Sequence, residues 1–86
     1  MTHALKTWPE YFDAIAEGSK NFEVRKADRD FSVGETLLLQ KFDPATGKYS
    51  GQEIRMEITY ILKGGSFGIE EGFVVMGIKD RVDLNY

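Results

Sequence analysis

The chain has 86 residues, of which 42% are hydrophobic and 29% charged, a composition typical of one small globular domain. The absence of cysteine excludes a disulfide framework, a thiolate zinc site and a cysteine nucleophile, and the single histidine leaves few ligands for a transition metal. The net charge of −3 argues against broad, sequence-independent affinity for nucleic acid. No apolar run approaches the roughly 20 residues of a membrane span, and the N-terminus does not resemble a signal peptide. We therefore expect a soluble, cytoplasmic monomer that does not associate with membranes and has no cofactor and no bound metal.

A helix is predicted between two short strands at the start of the chain. Residues 2–7 are weakly typical of an entry strand. Thr7 and Glu10 then fit a capping box, and Gly18 can end the helix in the left-handed conformation. The apolar residues between them follow the i, i+3, i+4, i+7 spacing of one helix face: Trp8, Tyr11, Phe12 and Ile15. This spacing assigns Trp8 to the core, with base stacking as the alternative.

The period of the apolar residues changes from about 3.6 to 2 after the helix, which predicts strands. Four are expected, over residues 21–25, 35–42, 52–62 and 73–78. In the first of them, Phe22 and Val24 point to an apolar side. Glu23 and Arg25 point to the other side. The longest strand alternates throughout, with inward positions at Ile54, Met56, Ile58, Tyr60 and Leu62. A polar tail is predicted over residues 79–86.

The element order β-α-β-β-β-β in so short a chain predicts an α+β fold that is mainly β. The favoured architecture is a small barrel of five or six strands, with the single N-terminal helix packed at its mouth. The alternative is an open sheet with the helix on one face. No linker, repeat or low-complexity segment divides the chain, so residues 1–86 are predicted to form one domain.

One segment carries a resemblance to a known family. Residues 18–25 read G-x-K-x-x-E-x-R, at the end of the helix and the start of the next strand. This pattern resembles the signature of the ASCH domains, which are part of the PUA-like superfamily. Further segments in the same order are similar to a small ASCH-like subfamily of bacteria and phages: His3-x-x-Lys6 and residues 25–29, 33–35, 60–65 and 67–72. The resemblance implies a five- or six-stranded barrel with a helix beside a charged cleft, where family members are proposed to bind RNA or nucleotides.

The signature residues of this chain are Lys20, Glu23 and Arg25. Side chains two residues apart on a strand project from the same face, roughly 6 to 7 Å apart, so Glu23 and Arg25 can form a polar pocket floor. Lys20 precedes them at the helix–strand junction. The alternatives are an ion pair on a solvated strand, worth about 0 to 1 kcal/mol, and a surface lysine beyond a helix C-terminus.

Four more residues are predicted to contribute to ligand binding. Arg29 can stack on a base or bind a phosphate, with a solvated loop as the alternative. His3 and Lys6 lie in a strand that we expect to flank the helix–strand junction, unless they are structural or merely exposed. Phe67 lies in the glycine-rich segment 64–68, which is either a flexible lid over the pocket or a hairpin connection.

Three functions are compatible with this pattern. The favoured one is a module that binds RNA or a nucleotide in the charged cleft. The resemblance also covers small amidohydrolases that deacylate cytidine with a signature lysine and a threonine nucleophile three residues later. Here that position is Glu23, which could act only as a general base on water, so Lys20 and Glu23 are the candidate catalytic residues of an alternative nucleoside-directed amidohydrolase. The third function is a protein-interaction domain without a small ligand.

Overall fold

The computed structural model describes residues 1–85 and has the predicted order β-α-β-β-β-β, followed by a short helix that was not predicted. These are β1 (Thr2–Thr7), α1 (Pro9–Ala16), β2 (Phe22–Lys26), β3 (Thr36–Asp43), β4 (Lys48–Lys63), β5 (Phe73–Asp80) and a short α2 (Val82–Asn85). The predicted class, α+β and mainly β, is confirmed. No helix in the described part of the chain is long and apolar enough to cross a membrane.

The strands form a single five-stranded sheet in the order β1-β3-β4-β5-β2. β1 runs parallel to β3, and the other neighbouring pairs are antiparallel. The sheet curls into a half-barrel whose edges are β1 and β2. Within residues 1–85 no backbone ladder joins these two edges, so the barrel is open along the line between them. We call this line the seam.

The core fills the concave side of the sheet beneath α1. Phe12 and Ile15 of the helix are each 4% exposed. They belong to the same apolar cluster as Leu37 and Leu39 of β3, which are both completely buried. Each buried leucine contributes roughly 1.5 to 3 kcal/mol relative to an exposed one, so this contact fixes the helix against the sheet.

A β-bulge changes which side chains of β4 face the core. The register with β5 shifts between Ile58 and Tyr60, because β4 has one extra residue there. The predicted inward orientation of Tyr60 and Leu62 is therefore wrong: they are 68% and 36% exposed, and Ile61 packs against the core instead. Gly77 lies opposite the bulge, where a β-carbon would be 2.8 Å from the hydroxyl oxygen of Thr59.

The start of the helix also differs from the prediction. Thr7 is the last residue of β1 and is buried, and Trp8 is the N-cap residue without a side-chain capping bond. Because Trp8 precedes the helix, its side chain does not lie on the helix face that packs against the core. It is 51% exposed and stacks on Tyr11, with ring centroids 5.9 Å apart and an interplanar angle of 19°. Gly18 follows the helix with φ +87°, as predicted.

The predicted polar tail is wrong for the described part of residues 79–86. β5 continues to Asp80, and residues 82–85 form α2. The Arg81 backbone N–H donates to the Arg55 carbonyl at 3.1 Å, and its guanidinium donates to the Gly34 carbonyl at 3.2 Å. These bonds fasten the segment to the sheet. Residue 86 lies outside the described residues.

Gly64→Ala should destabilise the fold because there is no room for a β-carbon. It would collide with the backbone carbonyl of Glu70 and lie 2.9 Å from the Phe73 carbonyl oxygen. Since both contacts are to backbone atoms, the loop would have to move, at a cost of about 2 to 3 kcal/mol in the free energy of unfolding. Urea denaturation measures this cost. Ser66→Ala in the same loop is the control and should change stability by less than about 0.5 kcal/mol.

Candidate functional site

An open cleft of about 560 Å³ lies at one end of the seam, between the end of β1, the start of α1 and β2. We call it the seam cleft. Its aromatic walls are formed by Trp8, Tyr11 and Phe22. Its charged floor is formed by Lys20, Glu23 and Arg25. The structure thus brings together the three signature residues that the sequence singled out.

Glu23 is the buried centre of the charged floor, with only 3% of the residue exposed. Its Oε1 accepts a hydrogen bond from Lys20 Nζ at 2.9 Å, and its Oε2 accepts one from Arg25 Nε at 2.8 Å. A buried carboxylate is costly unless it is paired and hydrogen-bonded, and these two cations meet that requirement. The expectation of an apolar Phe22 and Val24 side is reversed: they are 43% and 52% exposed, and Glu23 faces the interior.

Arg25 spans the seam from β2 to β1. While Nε is bound to Glu23, Nη2 donates to the Lys6 carbonyl at 2.9 Å and to the Thr7 hydroxyl at 3.3 Å. One side chain therefore connects two edge strands that share no ladder. No residue in the described part of the chain accepts a hydrogen bond from Nη1, so the fold does not use this donor.

Lys20 is positioned by the turn that follows α1. Its backbone N–H donates to the Ala14 carbonyl at 3.0 Å, and its ammonium donates to the Phe22 carbonyl at 2.9 Å. The ammonium also lies 5.5 Å from the centre of the Tyr11 ring and 4.9 Å from that of Phe22. Its side chain is 18% exposed, so the cation lies between two aromatic rings and still reaches the cleft.

The remaining predicted site residues are not all at the seam cleft. Lys6 lines it and contributes its carbonyl to Arg25, but its ammonium lies over the Phe42 ring at 4.7 Å. Arg29 lines a neighbouring cleft rather than this one. His3 lies outside the cleft. Phe67 is 87% exposed in the loop that joins the antiparallel strands β4 and β5 and does not line the cleft, so the structure favours the hairpin connection over the lid.

Sequence reasoning missed the aromatic wall of the cleft. The spacing predicts both Trp8 and Tyr11 on the core face of the helix, with base stacking as the alternative for Trp8 alone. The available signal was Pro9: proline is favoured in the first turn of a helix, so the residue before it lies outside the helix. Position 8 was therefore a candidate for an exposed aromatic side chain beside the site.

The chemistry of the cleft is that of a polar floor beneath aromatic walls. It can stack a planar ring and bind an anion. The Ser19 hydroxyl is bound to the Ala14 carbonyl and to Glu17, and the Thr7 hydroxyl lies against Arg25 rather than Lys20. Among the described residues, no group of three or more carboxylate, histidine or cysteine side chains is placed to hold a metal ion.

Comparison with known proteins identifies the family. Residues 2–78 match the family described as "Domain of unknown function (DUF3850)", and the chain belongs to this family. It is also similar to the "Uncharacterized 12.9 kDa protein in GpA 3'region" of Escherichia phage P2, with 37% identity over 57 residues. That alignment covers 66% of this chain and 50% of the phage protein, so the chain matches about half the length of this relative. The resemblance to ASCH domains stays a prediction.

Arg25→Lys should weaken the connection across the seam. A lysine is a point charge and cannot bind Glu23 and the β1 backbone at the same time, so we expect a loss of about 1 to 2 kcal/mol in the free energy of unfolding. Amide hydrogen exchange should accelerate in β1. The matched control is Arg29→Lys, since Arg29 pairs with Asp28 at 3.4 Å and lies 5.9 Å from the centre of the Phe31 ring, and neither partner belongs to β1. Equal effects of the two substitutions on β1 exchange would contradict the assignment.

His3 belongs to a second charged cluster, centred on Glu35. Its Nε2 donates to Glu35 Oε1 at 2.8 Å, and its ring packs 4.8 Å from that of Phe31. The same oxygen accepts a hydrogen bond from the Ser32 backbone N–H at 2.8 Å, and Oε2 lies 3.9 Å from the N-terminal ammonium of Met1. The hydrogen bonds from His3 and then Ser32 hold the pKa of Glu35 below its ordinary value of 4.5.

This lowered pKa predicts an acid-sensitive contribution to stability. Ionised Glu35 stabilises the fold above about pH 4.5, and the contribution is lost as the pH falls through the lowered folded-state pKa. Glu35→Gln should therefore be less stable than the wild type at neutral pH, and the difference should shrink in acid. Urea denaturation over a pH series measures it, with the exposed Glu71→Gln as control. A difference that is constant with pH would show that Glu35 acts only by packing.

Proposed function

We propose that this protein binds a nucleotide unit, free or within RNA, in the seam cleft. The observation that carries the proposal is the buried Glu23 carboxylate, held between Lys20 and Arg25 at the floor of an aromatic cleft. A buried charged triad is a costly arrangement when only stability is at stake, so its position at the floor of a cleft favours a binding role.

The aromatic walls suit a nucleobase. The rings of Trp8 and Tyr11 are nearly parallel and 51% and 42% exposed, and Phe22 adds a third partly exposed ring. Stacking of a base on an aromatic side chain is worth about 1 to 3 kcal/mol and does not depend on which base it is.

The cations suit a phosphate. Arg25 has Nη1 directed to no described acceptor, and the Lys20 ammonium reaches the same cleft. Hydrogen bonds between such cations and a phosphate are about twice as strong as those between neutral groups. Since one wall is aromatic and the floor is cationic, a ligand with a planar ring joined to an anion uses both. A nucleotide of the cytoplasm has this chemistry, and the resemblance to ASCH domains points the same way.

The alternative functions have less support. A nucleoside-directed amidohydrolase would need a nucleophile or a general base with a free lone pair aimed at the substrate. Both oxygens of Glu23 are engaged by cations, and the neighbouring hydroxyls of Thr7 and Ser19 form other bonds. A protein-interaction domain without a small ligand accounts for the bridge across the seam but not for the aromatic cleft above it.

The single tryptophan of the chain allows a direct test. Because Trp8 is exposed in the cleft, titration with the four ribonucleoside 5′-monophosphates should quench its fluorescence, with the unphosphorylated nucleosides binding more weakly. Lys20→Gln should weaken binding of the monophosphates by about tenfold, the loss of one charge-assisted hydrogen bond.

Lys79→Gln is the matched control, because Lys79 lies outside the cleft and makes only an exposed pair with Glu57 at 3.8 Å. It should bind as the wild type does. Circular dichroism checks that both variants are folded. Incubation with N4-acetylcytidine in parallel would reveal an amidohydrolase through its conversion to cytidine. Absence of quenching by every nucleotide would overturn the proposal.

A further inference from the structure

A second cleft of about 370 Å³ continues the seam on the far side of Arg25. Arg25 and Lys6 line both clefts, so the two are adjacent along the opening between β1 and β2. The second cleft adds three charged residues, Lys26, Asp28 and Arg29, and two aromatic residues, Phe31 and Tyr49. The first cleft thus does not end at Arg25 but opens into a longer groove.

Positive charge is concentrated along this groove. Five of the chain's 11 basic residues line the two clefts, namely Lys6, Lys20, Arg25, Lys26 and Arg29. Only two of the 14 acidic residues do so, Glu23 and Asp28. The groove therefore carries a charge of +3 in a chain whose net charge is −3. A local excess of cations in an acidic protein is the arrangement expected for a polyanion that is bound at one place only.

The second cleft repeats the composition of the first, with an exposed ring beside cations. Tyr49 is 52% exposed, and its ring is held edge-on against Phe42 at 5.0 Å. Lys6 lies over the other ring of that pair, Phe42, at 4.7 Å. The Arg29 guanidinium is 41% exposed and pairs with Asp28 only at 3.4 Å, so it can turn to another anion. A second base can stack on Tyr49 while a phosphate meets Arg29 or Lys26.

We propose that the groove binds a single-stranded oligonucleotide of at least two units, with one base in the seam cleft, the next base on Tyr49 and the joining phosphate near Arg25. This inference rests on the proposed function and assigns its ligand to the polymer rather than to the free nucleotide. The ligand is single-stranded because bases must be unstacked to lie on separate protein rings. RNA and single-stranded DNA share this chemistry and differ at the 2′-hydroxyl.

The test compares ligands of increasing length. Uridine 5′-monophosphate and the 5′-phosphorylated di- and triuridylates are titrated into the wild type with Trp8 fluorescence as the readout, and adenosine and deoxyribose series are run alongside. The dinucleotide should bind at least tenfold more tightly than the monophosphate, since it adds one stacked base and one phosphate contact. The affinity for the dinucleotide should also fall more steeply with salt than that for the monophosphate.

The double variant Lys26→Gln/Arg29→Gln separates the second cleft from the first. It should bind the dinucleotide about tenfold more weakly than the wild type does and should keep the wild-type affinity for the monophosphate. Lys79→Gln, which removes a cation outside both clefts, is the control and should change neither affinity. Tyr49→Leu should reduce the gain from the second base without changing the salt dependence, because it removes a ring and no charge.

The outcomes distinguish this inference from the proposed function. If the monophosphate binds but the dinucleotide binds no more tightly, the oligonucleotide assignment is overturned and the nucleotide site remains. The same holds if the double variant weakens both ligands equally. If no ligand in either series binds, both proposals fall. Binding that is more than tenfold tighter to the ribose series would support the proposal with RNA as the ligand, and equal binding would support it with recognition of the backbone that both polymers share.

Discussion

The network between Glu23, Lys20 and Arg25 is the constraint on which the rest of the structure depends. Without a backbone ladder between β1 and β2, the half-barrel would expose two strand edges along its opening, and an unpaired edge is both unstable and prone to association. Arg25 bridges that opening through the Lys6 carbonyl, and Glu23 holds the guanidinium in position for this. Each member of the network depends on the others. The Glu23 carboxylate can be buried only because two cations pair with it. The Arg25 guanidinium points at β1 because its Nε is hydrogen-bonded to Glu23. The interaction that holds the edges together is thus also the floor of the cleft.

This arrangement explains why β2 does not follow the usual distribution of polar and apolar side chains. In a half-buried strand the apolar residues normally face the core, and on that basis Phe22 and Val24 should lie inside. At the open end of this half-barrel, however, a charged side chain of β2 can pair with groups on β2 and β1 and on the turn after α1. Lys20 reaches Glu23 from that turn, so the polar face becomes the inner one. The apolar residues are displaced outward, and there Phe22 becomes a wall of the cleft.

Local signals in the sequence were sufficient for the five strands and α1, but not for α2 or for the faces of the elements. The five strands, α1 and Gly18 follow from periodicity and turn chemistry, and the spacing of Lys20, Glu23 and Arg25 correctly predicted that these side chains lie together. What could not be predicted depends on pairing between distant segments. The bulge at Thr59 depends on the partner strand, because Gly77 of β5 has no side chain and so makes space for the Thr59 hydroxyl. The alternation of residues in β4 itself does not indicate the bulge. His3 is expected near the signature because its strand flanks the junction. It shares the buried face of β1 with Thr7, which contacts Arg25, but it lies four residues earlier on the strand, where it bonds to Glu35, 32 residues away.

The overall charge of the chain constrains the length of any polyanionic ligand. Beyond the groove the protein is acidic, because a chain of net charge −3 that has +3 along its two clefts has −6 elsewhere. At physiological ionic strength charges act over about 8 Å, roughly the spacing of one or two nucleotides, so a strand that leaves the groove soon meets repulsion rather than attraction. Affinity should therefore rise with length only while added units remain over the cations, and then level off. This separates the protein from one that binds nucleic acid along a continuous basic track, where each further phosphate adds to affinity. An acidic composition and the proposed polyanion site are thus compatible, since the composition would limit how much of a bound polymer the protein contacts.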